Sequence, residues 1–319
     1  ERSIDLAWYA DVSAAELAQP VDGVRNRCAD LAAAVDFFST LRGWFDLGLL
    51  QPPRGRDVSA TTVRHERLDQ WLDAAGRLAS GRRRFIDNRR LSLLSQLPHK
   101  VREIAGGSVR NRLLLGSGFF ENATAGEEPA RSLKAIVKRL RDEGLLRGGA
   151  PTQVFANRLT CYGLKDLCGL PEWKIHEGKW PREPDRTLHA KFIFSGFHRE
   201  DSDSCGSAWL YLGSGNLTGP GFMHKAGAGG GNLEAGVVLA TPGLEWSTLP
   251  QCLPVTADGA LQLTAADIPA PATEEEERGS NYVAAPAHAF AVDASGPCLR
   301  LIPQPENAAA SIDLLDRNV

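Results

Sequence analysis

Between residues 113 and 240 the sequence alternates short apolar runs with helical ones, and this alternation restricts the fold more than any other feature. "LLLGSGFF" (113–120) reads as a short buried strand and "TQVFAN" (152–157) as another. Between them, "EPARSLKAIVKRLRDEG" (128–144) is an amphipathic helix that ends at Gly144. "GLKDLCGLPEW" (163–173) reads as helical, and three further strand-like runs follow: "LHAKFIF", "AWLYLGS" and "LEAGVVLA". Strands alternating with helices predict an α/β protein, a sheet with helices covering its faces.

The flanks read differently. Residues 1–80 are expected to form a helical N-terminal region, because "SAAELAQ", "NRCADLAAAVDFFSTLRGWFDLGLL" and "ERLDQWLDAAGRLAS" repeat apolar residues at three-to-four spacing. "QPPRGRD" (51–57) interrupts them as a loop, and His65 falls on a helix surface. Residues 81–247 make the central domain. Residues 248–319 are expected to hold a solvated linker around "EEEE" (274–277) and a small β-rich tail, with "HAFAVDASGPCLRLIPQ" as a hairpin.

Composition excludes some classes. In 319 residues the formal net charge is −3, so any attraction to a polyanion has to come from local patches. No apolar run reaches the roughly 18 residues that a spanning helix needs. Cys28, Cys161, Cys168, Cys205, Cys252 and Cys298 form no C-x-x-C pair and no zinc-like spacing with histidine, which predicts reduced thiols, a cytoplasmic setting and no metal site. The chain begins at Glu1 and its single methionine is Met223, from which a piece of a larger polypeptide is expected.

The residues that a core does not need are His189, Lys191, Ser214, Asn216 and Glu234. On one strand, His189 and Lys191 would project to the same face, with Leu188, Ala190 and Phe192 opposite. Ser214 and Asn216 close the next strand in a Gly-flanked turn where backbone approaches a ligand, and Glu234 opens a third. A neutral imidazole, an ammonium, an amide donor and a carboxylate at one sheet edge suit displacement at a phosphate diester without a metal or cofactor. The imidazole attacks phosphorus, the carboxylate fixes its tautomer, and the donors stabilise charge growing on the non-bridging oxygens.

"HAK", "GSGN" and "NLEAGVV", in that order, resemble the H-x-K…G-S-x-N…acid signature of the phospholipase D superfamily across roughly residues 85–247. The resemblance implies a phospholipase D-like mixed β-sheet flanked by helices. It implies His189 as nucleophile or acid partner, Lys191 and Asn216 as phosphate ligands, Ser214 beside them, and Glu234 as the acid that orients the histidine. The Asp that the family carries about five residues after the lysine is replaced by Gly196. The family normally uses two such motifs, and "LPHKV" (98–102) and "FMHKAG" (222–227) lack the intervening residue. The second histidine is therefore expected from a homodimer or from a second half upstream of Glu1.

Arg82, Arg83, Arg84, Arg89 and Arg90 form a basic cluster that reads either as a solvated face or as a surface for nucleic-acid phosphates. "AGAGGGN" (226–232) precedes a strand, which argues against a dinucleotide-binding loop and for a mobile loop bordering the site. The combined expectation is a metal-independent phosphodiesterase, a nuclease for DNA or RNA, with a place in a restriction or anti-phage defence system and its complexes, and no membrane partner. One alternative is a degenerate nucleic-acid-binding or scaffolding module. The second is a phospholipase D-type lipid hydrolase or transferase.

Overall fold

The computed structural model describes residues 3–44, 60–121, 128, 130–180, 185–255, 262–269, 289–293 and 300–304. The chain divides into two compact units, one of Glu1–Leu41 with Ala60–Pro271 and one of Arg42–Ser59 with Ala272–Val319. The first unit is the expected α/β layer structure. It contains a seven-stranded mixed sheet in the order β2-β9-β8-β7-β3-β4-β5. The strands are β2 (Phe85–Asp87), β3 (Arg112–Ser117), β4 (Thr152–Ala156), β5 (Trp173–Glu177), β7 (Lys191–His198), β8 (Cys205–Gly213) and β9 (Ala235–Ala240). β3, β4 and β5 run parallel, and all other neighbours in the sheet are antiparallel.

Alternation along each strand divides the core in two. Leu113, Leu115, Val154, Ile175, Ile193, Trp209, Tyr211 and Val238 share one cluster with helices α4 (Leu93–Ala105) and α5 (Arg131–Asp142). Leu114, Phe155, Phe192 and Phe194 point to the other face, where Leu249, Leu253 and Val255 cover them. In α4 the four-residue repeat Leu93, Leu97, Val101 is fully buried, and each such side chain contributes about 1.5–3 kcal/mol. Ser92 caps its start by accepting from Ser95 N, and Gly106, at φ +78°, ends it. Buried Arg110 donates to the carbonyls of Ala105, Gly106, Ser108 and Ser207, so the helix C-terminus keeps its acceptors satisfied.

The N-terminal stretch is helical as expected, with α1 (Ala14–Ala18), α2 (Asp22–Trp44) and α3 (Ala60–Arg77), but it opens on a strand that periodicity did not reveal. β1 (Ser3–Ile4) pairs in parallel with β6 (Thr187–Leu188). A second correction concerns residues 163–173. Tyr162–Leu167 is a 3₁₀ helix, and Trp173 already opens strand β5. A third concerns "LHAKFIF", which is two strands, β6 and β7, interrupted at His189 and Ala190. Residues 249–268, expected as linker, place Leu249, Leu253, Val255, Leu263 and Ile268 in the core of the first unit. The C-terminal hairpin is present: β10 (Ala289–Asp293) pairs antiparallel with β11 (Arg300–Gln304) in the second unit. The loop at 51–57, the side chain of His65 and the "EEEE" segment lie outside the described residues.

Cys28, Cys161 and Cys205 are free thiols buried as small apolar groups, and burial raises Cys161 and Cys205 to about 11. No helix among the described residues is long and apolar enough to cross a membrane.

Candidate active site

β7 and β9 begin at the end of the sheet where β3 and β8 finish, because Gly116 pairs with Phe192, Lys191 with Gly213 and Gly213 with Gly236. That register gathers His189, Lys191, Ser214 and Glu234 at one sheet edge. His189 sits in the gap between β6 and β7. There Ile4 O accepts both its N–H (3.0 Å) and that of Ala190 (2.8 Å), in place of a continuing ladder. The ring is about half exposed and lines a cavity of about 340 Å³ with Ser3, Phe119, Asn157, Thr187 and Leu188. Phe119 meets it edge-on, with centroids 6.3 Å apart.

The ring's two nitrogens have opposite partners. Nε2 lies 3.0 Å from Lys191 Nζ, and Nδ1 lies 2.7 Å from Asp5 Oδ1. An ammonium only donates, so Nε2 is the acceptor and Nδ1 carries the proton given to Asp5. This tautomer leaves the reactive lone pair on Nε2. Lys191 is 8% exposed. Burial pushes its pKa below the usual lysine value, against the upward pull of the Asp5 and Glu234 carboxylates.

Glu234 does not reach the histidine as expected; the acid on the ring is Asp5. The Glu234 carboxylate accepts from Ser214 Oγ, and Glu234 is almost fully buried. Its backbone is gripped by Asn88, which is fully buried one residue past β2: Asn88 N donates to Glu234 O (3.0 Å) and Glu234 N to Asn88 Oδ1 (2.8 Å). Asn88 Nδ2 also donates to the carbonyls of Asn232 (2.7 Å) and His224 (3.2 Å), tying down the ends of the glycine-rich loop. That loop turns through positive φ at Gly227, Gly229 and Gly230 and leads into β9, which fits no dinucleotide loop.

Asn216 lies just past β8, and its Oδ1 is 3.3 Å from Ser117 Oγ at the end of β3. Ser117 leads into Gly118, where a Cβ would stand 3.6 Å from His189 Cδ2, so the end of β3 lies against the ring and Asn216 reaches it through Ser117. The turn is packed backbone on backbone. A Cβ at Gly221 would come 2.5 Å from Asn216 O, and one at Gly215 would come 2.4 Å from Gly221 O. Gly196, where the motif would place an aspartate, has no room for a side chain: its Cβ would meet Cys205 Sγ at 2.4 Å.

The five arginines divide. Arg84 is paired with Asp30 of α2 (Nε–Oδ2 2.6 Å), and Arg89 is held by Asp87 and Asp36. Arg82, Arg83 and Arg90 remain exposed. Asp5, Asn88 and Ser117 were missed by sequence reasoning. They carry no motif, and each finds its partner through tertiary pairing.

No family model and no curated protein matches this sequence. Solved structures to which the chain is similar include phosphatidylserine synthase of Haemophilus influenzae Rd KW20, with 11% identity, a TM-score of 0.29, and coverage of 62% of this chain and 45% of that one. They also include yeast tyrosyl-DNA phosphodiesterase, with 11% identity, a TM-score of 0.27, and coverage of 50% and 46%. Both belong to the phospholipase D superfamily. Polyphosphate kinase of Porphyromonas gingivalis is similar at 11% identity and a TM-score of 0.29, covering 60% of this chain and 29% of that one. The chain spans less than half the length of each of these proteins. Likeness at this level bears on neither activity nor substrate.

Proposed function

We propose that the protein is a metal-independent phosphodiesterase that cleaves DNA or RNA through a phospho-histidine at His189. The observation that carries this reading is the ring's partnering, with Nδ1 on a carboxylate at 2.7 Å and Nε2 on a buried lysine at 3.0 Å. A phosphate oxygen entering the site replaces Nε2 as the acceptor of Lys191, and the freed lone pair faces phosphorus. The N–P bond forms as the P–O bond to the leaving group breaks. Lys191 and the Asn216 amide donate to the non-bridging oxygens. The leaving oxygen takes a proton from a second histidine, supplied by a second copy of the chain. Water then attacks phosphorus, the N–P bond breaks, and that second histidine removes the water's proton.

A nucleic-acid substrate is supported by the exposed Arg82, Arg83 and Arg90. A role in restriction or anti-phage defence belongs to the same reading. The test is incubation with plasmid, single-stranded DNA, RNA and phosphatidylcholine vesicles in excess EDTA, beside His189→Ala. Nucleic-acid cleavage that persists under chelation and is lost in the variant is the expected result. Cleavage that requires Mg²⁺, or that His189→Ala retains, overturns it. Choline release transfers the reading to a lipid substrate, and binding without turnover reduces the chain to a nucleic-acid-binding module.

A further inference from the structure

We infer that Asp5, one residue past the N-terminal strand β1 and outside the motif, is the positioning residue for the nucleophilic ring, in place of Glu234. The chemistry of this role rests on the phosphodiesterase reading; the contact itself stands on geometry. Asp5 Oδ1 is 2.7 Å from His189 Nδ1, and its other oxygen, Oδ2, accepts from Ser3 Oγ at 2.7 Å. Both carboxylate oxygens are thereby oriented. The backbone is fixed as well: Ile4 O accepts from His189 N and Ala190 N, and β1 pairs with β6 in the register Ser3 with Thr187 and Ile4 with Leu188. Ile4 and Leu188 are each at most 2% exposed, so the short ladder is anchored in the core. Glu234, the alternative acid, is bonded to Ser214. The hydrogen bond from His189, and after it that from Ser3, holds Asp5 below the usual carboxylate range, which keeps it ionised beside the ring.

During attack, Nδ1 keeps its proton and its bond to Asp5 while Nε2 bonds to phosphorus and the ring becomes cationic. Asp5 offsets that charge and takes no proton. Once a phosphate oxygen has taken over Lys191, a ring without Asp5 is free to adopt the Nε2–H tautomer, which leaves no lone pair on Nε2.

The experiment compares wild type, Asp5→Asn, Asp5→Glu and Ser3→Ala on bis(p-nitrophenyl) phosphate in EDTA. It also measures ¹⁵N resonances of histidine-labelled protein saturated with inorganic phosphate, which occupies Lys191, with His189 assigned through His189→Gln. In Asp5→Asn, kcat should fall on the order of 100-fold with KM within about threefold. The His189 signals should move from the Nδ1–H pattern toward Nε2–H. Asp5→Glu should recover at least about tenfold of the lost rate, which a purely structural role would not predict. An Asp5→Asn variant with kcat within about threefold of wild type, or with unchanged His189 signals, overturns the assignment. If wild type has no turnover while Asp5→Asn still switches the tautomer, the phosphodiesterase reading alone fails. If Asp5→Asn does not fold, Ser3→Ala carries the test. It should lower kcat about threefold or more and raise the Nε2–H fraction, and no change in either overturns the proposal.

Discussion

Lys191 stands where burial and charge pull in opposite directions. Desolvation dominates and lowers its pKa, while the carboxylates of Asp5 and Glu234 raise it. If its charge grips the phosphate, the alkaline limb of kcat/KM should fall below the ordinary lysine value of 10.5. Glu234→Gln removes one of the two supporting charges, so the limb should move to still lower pH; a shift upward would refute this electrostatic account. Lys191→Met should lower kcat on the order of 100-fold. Stability follows the same sign. Between the lowered folded pKa and the ordinary one the unfolded chain binds more protons, so this group makes stability rise with pH across that window. The same residue shows what a sequence can reveal. His189 and Lys191 are two positions apart, so local spacing alone suggests that they meet. Asp5 and His189 are separated by 184 positions, and no periodicity reports a contact made by strand pairing.

At the scale of elements, α5 begins without a cap of its own, because Ala130 at its N-terminus has no side-chain acceptor and sits at φ 52°. Glu121 supplies the missing acceptor. Its Oε1 takes Ser132 N (2.8 Å) and Oγ (2.7 Å), and its Oε2 takes Gly219 N (2.6 Å) in the turn after Asn216. Glu121→Ala should therefore cost about 1–2 kcal/mol, read as a lowered denaturation midpoint, and should raise KM by loosening the Asn216 turn. A second joint links α2 to β2. Buried Asp30 accepts from Arg84 Nε and from the N–H groups of Arg84 and Phe85, and burial raises its pKa despite the guanidinium. Arg84→Leu should leave that carboxylate unpaired and cost roughly 3 kcal/mol in urea unfolding at neutral pH. In the sequence the arginine run reads as one patch. The structure uses Arg84 and Arg89 for cohesion because acids of a distant helix reach them, which composition does not show. The helix α5 and the strands β3, β4 and β8 were legible, since their burial follows period and length. β1 and β5 were not. β1 is two residues long, and β5 follows a 3₁₀ stretch whose apolar spacing imitates a helix.

At the scale of the molecule, the proposed reaction needs two histidines, and of the two expected sources, a second copy of the chain or a second half upstream of Glu1, the first is open to a direct test. Sedimentation velocity should show a species of twice the 34.5 kDa chain mass, and specific activity should fall on dilution through its dissociation range. Full activity in a monomer would remove the second copy from the mechanism. The architecture adds a further consequence. The carboxylate that steadies the reactive ring directly follows a strand only two residues long, which lies outside the seven-stranded sheet and pairs with β6. Peeling that strand away would uncover Ile4 and Leu188 but leave the seven-stranded sheet paired and the H-x-K residues in sequence, yet silence the chemistry. The protein thus keeps its trigger apart from its frame, and a cut or a tether near residue 10 should act on turnover long before it acts on melting.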